Sequence, residues 1–144
     1  MEKINIIPWD VVTGCEQISP GCDNCPTYWS HKKLGKDYHP KIQPFNLEDP
    51  VSNKDPSVYL VAPGSDLFHE SIKLDYIEYV LDVMNKANWH QYEVGTKRIE
   101  RMSILSNKHL SWGDHMIAFT GVEEAKYRWR IDTLREIDAR RMVL

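Results

Sequence analysis

From Val58 to Leu144, short apolar runs alternate with stretches whose apolar residues recur every three or four positions, and this leaves few folds open. Val58-Tyr-Leu-Val-Ala62 reads as a buried strand closed by the turn Pro63-Gly64-Ser65-Asp66. A helix from about Leu74 to Lys86 follows, with Ile77, Val80, Leu81, Met84 and Ala87 on its apolar side and Asp75, Glu78, Asp82 and Lys86 toward water. The order continues with a strand at His90–Gly95, a helix from about Arg98 to Ser106, and a strand at His115–Thr120. A helix from about Glu123 to Ile137, with Ala125, Trp129, Leu134 and Ile137 inward, precedes a fifth strand that begins at Arg140. Such alternation implies parallel strands joined by right-handed crossovers. The expected fold is one α/β domain over residues 1–144, a partial (βα) barrel or open, mostly parallel sheet of about five strands with helices outside.

The amino-terminal third is less regular. Ile4 to Val12 is an apolar, β-branched run ended by Thr13-Gly14, read as a strand interrupted or finished near Pro8. Pro26 to Leu34 reads as a helix, with proline in its first turn and Gly35 as its stop. Residues 36–57 carry Pro40, Pro44, Pro50 and Pro56 among polar residues, and are expected to form a long surface loop without regular structure. Loops of that length are often functional.

Between the first strand and the first helix, Cys15-Glu-Gln-Ile-Ser-Pro-Gly-Cys22-Asp-Asn-Cys25 holds every cysteine of the chain. Pro20-Gly21 bends the backbone just before Cys22, so the three thiols of this 15–25 loop can converge on one point. An odd count fits a disulfide framework badly, and in a reducing compartment free thiols bind metal. Three thiolates leave one ligand position open. On zinc that position goes to water or a histidine such as His31 or His39, and on a four-iron cluster it exposes one iron to a small molecule. Unligated thiols are the third reading.

Composition narrows the partners. With 18 Lys and Arg against 21 Asp and Glu, a net charge of −3 argues against general nucleic-acid affinity. No apolar run is long enough to span a membrane, so a soluble, cytoplasmic protein is expected.

In parallel α/β folds ligands gather at the carboxyl ends of strands. The turns there are the cysteine loop, Gly64-Ser65-Asp66, Thr96-Lys97-Arg98 and Thr120-Gly121, which would share one face. Lys97 and Arg98 stand at a helix amino terminus, where cations oppose the helix dipole, and an anionic ligand would offset that cost. The plainer alternatives are a solvated basic patch at Lys97 and Arg98 and a simple capping turn at Ser65-Asp66.

Val12-Thr-Gly-Cys15, Ser19-Pro-Gly-Cys-Asp-Asn-Cys25, Ser65-Asp-Leu-Phe-His-Glu70, Thr96-Lys-Arg98 with Glu100-Arg-Met102, and Gly121-Val-Glu-Glu124 together span nearly the whole chain. This string resembles the phage-associated radical-SAM-like proteins with a three-cysteine motif, a family of unknown function. The resemblance implies a partial barrel in which Cys15, Cys22 and Cys25 ligate a [4Fe-4S] cluster and S-adenosylmethionine occupies the open iron. It also places Ser65, Asp66, Thr96, Lys97 and Thr120 around that cofactor's amino acid and ribose. For a phage-encoded member the compartment would be the host cytoplasm. The relatives continue beyond a fifth strand, which makes this chain look like a C-terminally shortened member.

Two functions follow. One is an iron–sulfur protein that cleaves S-adenosylmethionine reductively to act on an unknown substrate. The other is a non-catalytic phage accessory protein that binds a host or phage macromolecule, its cysteines holding structural zinc or nothing. Under either reading, Met142-Val-Leu144 should leave an apolar strand edge that a second copy or a macromolecular partner covers.

Overall fold

The computed structural model describes residues 3–144. Strands β1 (Asn5–Trp9), β4 (Ser57–Val61), β5 (Gln91–Gly95), β6 (Met116–Thr120) and β7 (Arg140–Val143) form one sheet in the order β1-β4-β5-β6-β7. Every neighbouring pair is parallel, and the sheet does not close into a barrel. Two further strands, β2 (Val12–Thr13) and β3 (Lys41–Ile42), pair antiparallel in a separate ribbon. The crossovers carry α3 (Leu74–Lys86), α4 (Ile99–Lys108) and α5 (Trp129–Arg135), and so the strand-helix alternation of the sequence is the architecture.

Burial follows the period of two that a pleated strand imposes. Ser57, Tyr59 and Val61 on β4, Tyr92 and Val94 on β5, and Met116, Ala118 and Thr120 on β6 are buried, while the residues between them are only partly so. The buried face packs against Ile77, Val80 and Met84 of α3, Ile99 and Met102 of α4 and Leu134 of α5. The spacing of these side chains is what put them on one helix face in the sequence.

Three segments refine the sequence reading. First, β1 finishes near Pro8 as expected, one residue later at Trp9, and the proline is tolerated because an edge strand can lack an N–H and β1 pairs only with β4. Second, the proline-rich segment is not featureless: it contains β3, a 3₁₀ turn at Pro44–Asn46 and α2 (Asp49–Ser52). Pro44 and Pro50 sit in first turns, where the absent N–H costs nothing, so they begin helical turns rather than prevent them. Third, the expected Glu123–Ile137 helix is a 3₁₀ turn at Ala125–Tyr127 followed by the shorter α5. Leu134 and Ile137 are buried as expected, but Ala125 and Trp129 are exposed, and Arg130 takes the inward place.

Helix α1 (Pro26–Lys33) does begin at its proline, and Gly35 follows with a positive φ of 64°. It buries no residue. After β4 the chain turns at Ala62, whose φ of 47° makes it the one described non-glycine residue in the left-handed region. Its N–H donates to the Trp9 carbonyl at 2.9 Å and its carbonyl accepts from Ser65 N at 3.0 Å.

Candidate functional site

The cysteine loop is strapped down at its start. Gly14 has φ 79°, and a Cβ there would collide with the backbone carbonyls of Tyr38 and His39, so only glycine fits. Cys15 N then donates to the Tyr38 carbonyl at 2.7 Å. Further on, a 3₁₀ turn at Pro20–Cys22 and the bond from Cys25 N to the Cys22 carbonyl at 3.1 Å fold the chain back on itself. Cys25 is the N-cap of α1, which puts its sulfur at the positive end of that helix.

All three cysteines are free and half-buried, and all three line one cavity of about 310 Å³. The cavity lies at the carboxyl ends of β4, β5 and β6 and is also lined by Ser65, Asp66, Thr96, Lys97, Arg98 and Phe119. Its size is at the lower end of the range for small-molecule sites, and its position is where a parallel sheet presents ligands.

Each sulfur has its own polar neighbour. Arg98 Nη1 lies 3.6 Å from Cys15 Sγ, Lys97 Nζ lies 3.5 Å from Cys22 Sγ, and the Tyr38 hydroxyl lies 3.8 Å from Cys25 Sγ. Burial pushes the Cys15 thiol up, helped by the Asp66 charge, and Arg98 only partly offsets this. At Cys22 burial acts in the same direction but is outweighed by backbone hydrogen bonds at Ile18 and Ser19 and by Lys97, so that thiol is lowered. The Tyr38 hydroxyl, which donates to the Gly64 carbonyl at 3.0 Å, is raised by burial and by the neighbouring Cys25.

The residues expected around a cofactor divide into two groups. Lys97 extends into the cavity and pairs with no carboxylate among the described residues. Asp66 and Thr96 line the cavity but use their polar atoms on each other, the Thr96 hydroxyl standing 2.7 and 2.8 Å from the two Asp66 oxygens. Asp66 also accepts from Phe68 N at 2.9 Å and from Arg98 Nη1 at 3.1 Å. Burial still pushes its carboxyl upward. Ser65 donates to the Gly14 carbonyl, tying the β4 turn to the cysteine loop. Thr120 is buried on β6 and is not among the cavity-lining residues; its neighbours Phe119 and Gly121 are.

Opposite the Asp66 network, Glu123 holds the cysteine loop from the β6 side. Gly21 N donates to Glu123 Oε1 at 3.3 Å, and Arg130 Nη1 donates to Glu123 Oε2 at 2.9 Å and to the Gly121 carbonyl at 3.0 Å. Burial opposes ionisation of Glu123, but the Ser19 hydroxyl, the Arg130 guanidinium and the Gly21 amide outweigh it and bring the carboxyl down to about 2. Sequence reasoning missed this clasp, the burial of Arg98 and the approach of Tyr38. Only the Gly121-Val-Glu-Glu124 string gave a signal, and it did not point to Gly21.

The histidines have local roles. His90 is buried, with Nε2 2.9 Å from the Pro50 carbonyl, and His69 is buried beside Ser71. His31 Nδ1 is 2.9 Å from the Thr27 carbonyl, and the His39 side chain is 77% exposed. Among the described residues no three Cys, His, Asp or Glu side chains are gathered so as to hold a single ion, and all three thiols line the cavity. Three thiols, space in front of them and a cation beside two of the sulfurs suit a thiolate-bound group that carries negative charge.

No described helix is long and apolar enough to cross a membrane. No curated protein and no solved structure matches the chain. A family model described as protein of unknown function (DUF5131) matches residues 5–144, from the first residue of β1 through the end of the chain. The protein therefore belongs to the DUF5131 family.

Proposed function

We propose that this is an iron–sulfur protein of the radical-SAM-like kind, in which Cys15, Cys22 and Cys25 ligate a [4Fe-4S] cluster and S-adenosylmethionine binds beside it. The observation that carries the reading is that three free thiols from one loop line a single cavity at the carboxyl ends of three parallel strands. Three thiolates leave one iron of such a cluster without a protein ligand, and the bound cluster would supply the electron for reductive cleavage. The chain's own part is to hold, orient and shield. Lys97, with no carboxylate partner among the described residues, is suited to the cofactor's carboxylate, while Ser65, Asp66 and Thr96 shape the wall behind it. Tyr28 and Tyr38, whose ring centroids are 5.5 Å apart, line the same cavity, and the Tyr38 hydroxyl stands beside Cys25.

Anaerobic reconstitution with iron and sulfide, followed by absorption and electron paramagnetic resonance with and without S-adenosylmethionine, tests the assignment. A cluster spectrum that changes on adding S-adenosylmethionine supports it, and a protein that takes up zinc but neither iron nor sulfide removes it. In calorimetry on the reconstituted protein, Lys97→Ala should weaken S-adenosylmethionine binding by about 1.5–3 kcal/mol, the range for a hydrogen bond to a charged group. Equal affinity would remove Lys97 from the site.

A second reading has its own observation. Met142, Val143 and Leu144 are 37, 42 and 66% exposed, and β7 is an edge strand, so an accessory protein could use that edge to bind another macromolecule or a second copy of itself. Light scattering over a concentration series tests it, because a monomer at every concentration excludes the second copy.

A further inference from the structure

Arg98 follows β5 at the cavity rim, and its side chain is only 5% exposed. The guanidinium meets four groups: Asp66 Oδ2 at 3.1 Å, Glu70 Oε2 at 3.1 Å, the Glu16 carbonyl at 3.3 Å and Cys15 Sγ at 3.6 Å. Its backbone is fixed too, since Arg98 N donates to Thr96 Oγ1 at 2.9 Å and that hydroxyl is bound to Asp66. Burying an ion pair costs desolvation that a surface pair avoids, so the pairing with Asp66 is by itself weak evidence that Arg98 is there for stability alone. What the position adds is reach. One Nη1 bridges the carboxylate of Asp66 and the sulfur of Cys15, residues from two different turns, and the exposed Glu70 carboxylate balances the far side of the guanidinium.

We propose that Arg98 is a positioning residue for the metal centre, donating from Nη1 to Cys15 Sγ and holding the centre's reduction potential up through its buried positive charge. The proposal rests on the reading that the three cysteines carry an iron–sulfur cluster. Hydrogen bonds to ligand sulfurs and net local charge are two of the means by which a protein sets such a potential. A cation beside Cys15 favours the form that carries the added electron, and a donor to the sulfur acts in the same direction. Lys97 makes a similar approach to Cys22 but is only half-buried, so solvent screens it more.

The test compares wild type, Arg98→Gln, Arg98→Lys and Glu70→Gln after anaerobic reconstitution, reading iron and sulfide content and the midpoint potential from a redox titration followed by paramagnetic resonance. Arg98→Gln should load and titrate at a potential lower by about 59 mV, which is a tenfold change in a one-electron equilibrium. Arg98→Lys, which keeps the charge, should recover part of that shift. Glu70→Gln removes a carboxylate whose side chain is 69% exposed, and should move the potential slightly upward. Arg98→Gln with full iron and the wild-type potential would overturn the proposal. Should Arg98→Gln fail to fold or load, the other two variants decide, and unchanged potentials in both would overturn it equally. A wild type that binds no iron or sulfide would remove the cluster reading and this inference together, whereas a loaded wild type with an indifferent Arg98 removes only the latter.

Discussion

Between Cys15 and Asn46 no residue is buried, whereas from Ser57 to Met84 buried side chains recur in every element and supply much of the core. The two stretches meet along the cavity, and they are held by different means. The sheet and its helices are fixed by apolar area, with Tyr59, Ile77, Val80, Met84 and Tyr92 almost wholly enclosed. The cysteine loop is fixed by polar ties to turns of that sheet: Ser65 to Gly14, Arg98 to the Glu16 carbonyl, and Glu123 to Gly21. A scaffold made by burial is stable without its ligand; a loop made by a few hydrogen bonds has little stability of its own and opens first.

The largest effects that would test this contrast lie in the loop and leave the scaffold alone. On the proposed cluster assignment, Cys15→Ala, Cys22→Ala and Cys25→Ala should each abolish most metal binding, measured as iron and zinc content, with little change in the denaturant midpoint of the metal-free protein. If Cys15→Ala keeps its full metal while the other two lose it, the centre is a smaller site on Cys22 and Cys25. Next, Ile77→Ala, at a fully buried position, should destabilise the whole fold by about 2–5 kcal/mol. Trp29→Ala, at a residue 49% exposed, should cost about 0.5 kcal/mol or less in the same urea titration. Equal losses would show that the loop shares the core's cooperativity and that the two regions are one unit.

An effect smaller than that of core truncation is set by pH. The Glu123 carboxyl is depressed from its ordinary value near 4.5 to about 2, so its tie to Arg130 and Gly21 is fully present above about pH 4.5 and is lost as pH falls through about 2. Its contribution should be on the order of 1 kcal/mol, because the pair stands close to solvent. Protection of the Gly21 amide, taken against the intrinsic exchange rate at each pH, should fall across that window in the metal-free protein, and Glu123→Gln should remove the dependence. A Gly21 amide equally protected at pH 5 and pH 2.5 would show that Glu123 does not hold the loop.

The sequence showed the scaffold better than the ties. The unbroken apolar run Val58–Ala62 and the three- and four-residue spacing of Ile77, Val80, Leu81 and Met84 are local signals, and both elements stand where those signals place them. The cysteine loop was equally visible, since its residues are neighbours in the chain. Arg98 read as part of an anion site or of a solvated basic patch, because Asp66, which draws it inward, lies 32 positions away, and Glu123 finds Gly21 across 102. No periodicity reports a pair so separated. Tyr38 escaped notice for another reason: it sits in a proline-rich segment whose strand, β3, has only two residues and exists only because β2 is there to pair with it.

Ala62 gives the first strand a mechanical role. An L-residue in the left-handed region stands about 1–2 kcal/mol above its relaxed backbone, and it stays there only while its surroundings enforce it. The enforcing bond comes from the Trp9 carbonyl at the end of β1, an edge strand with a single neighbour. The turn that carries Ser65 and Asp66 is therefore a loaded spring, and β1 is its catch. Loosening the end of β1 would remove that bond, so the rim of the sheet and the turn that lines the cavity opposite the thiols are coupled through a single hydrogen bond.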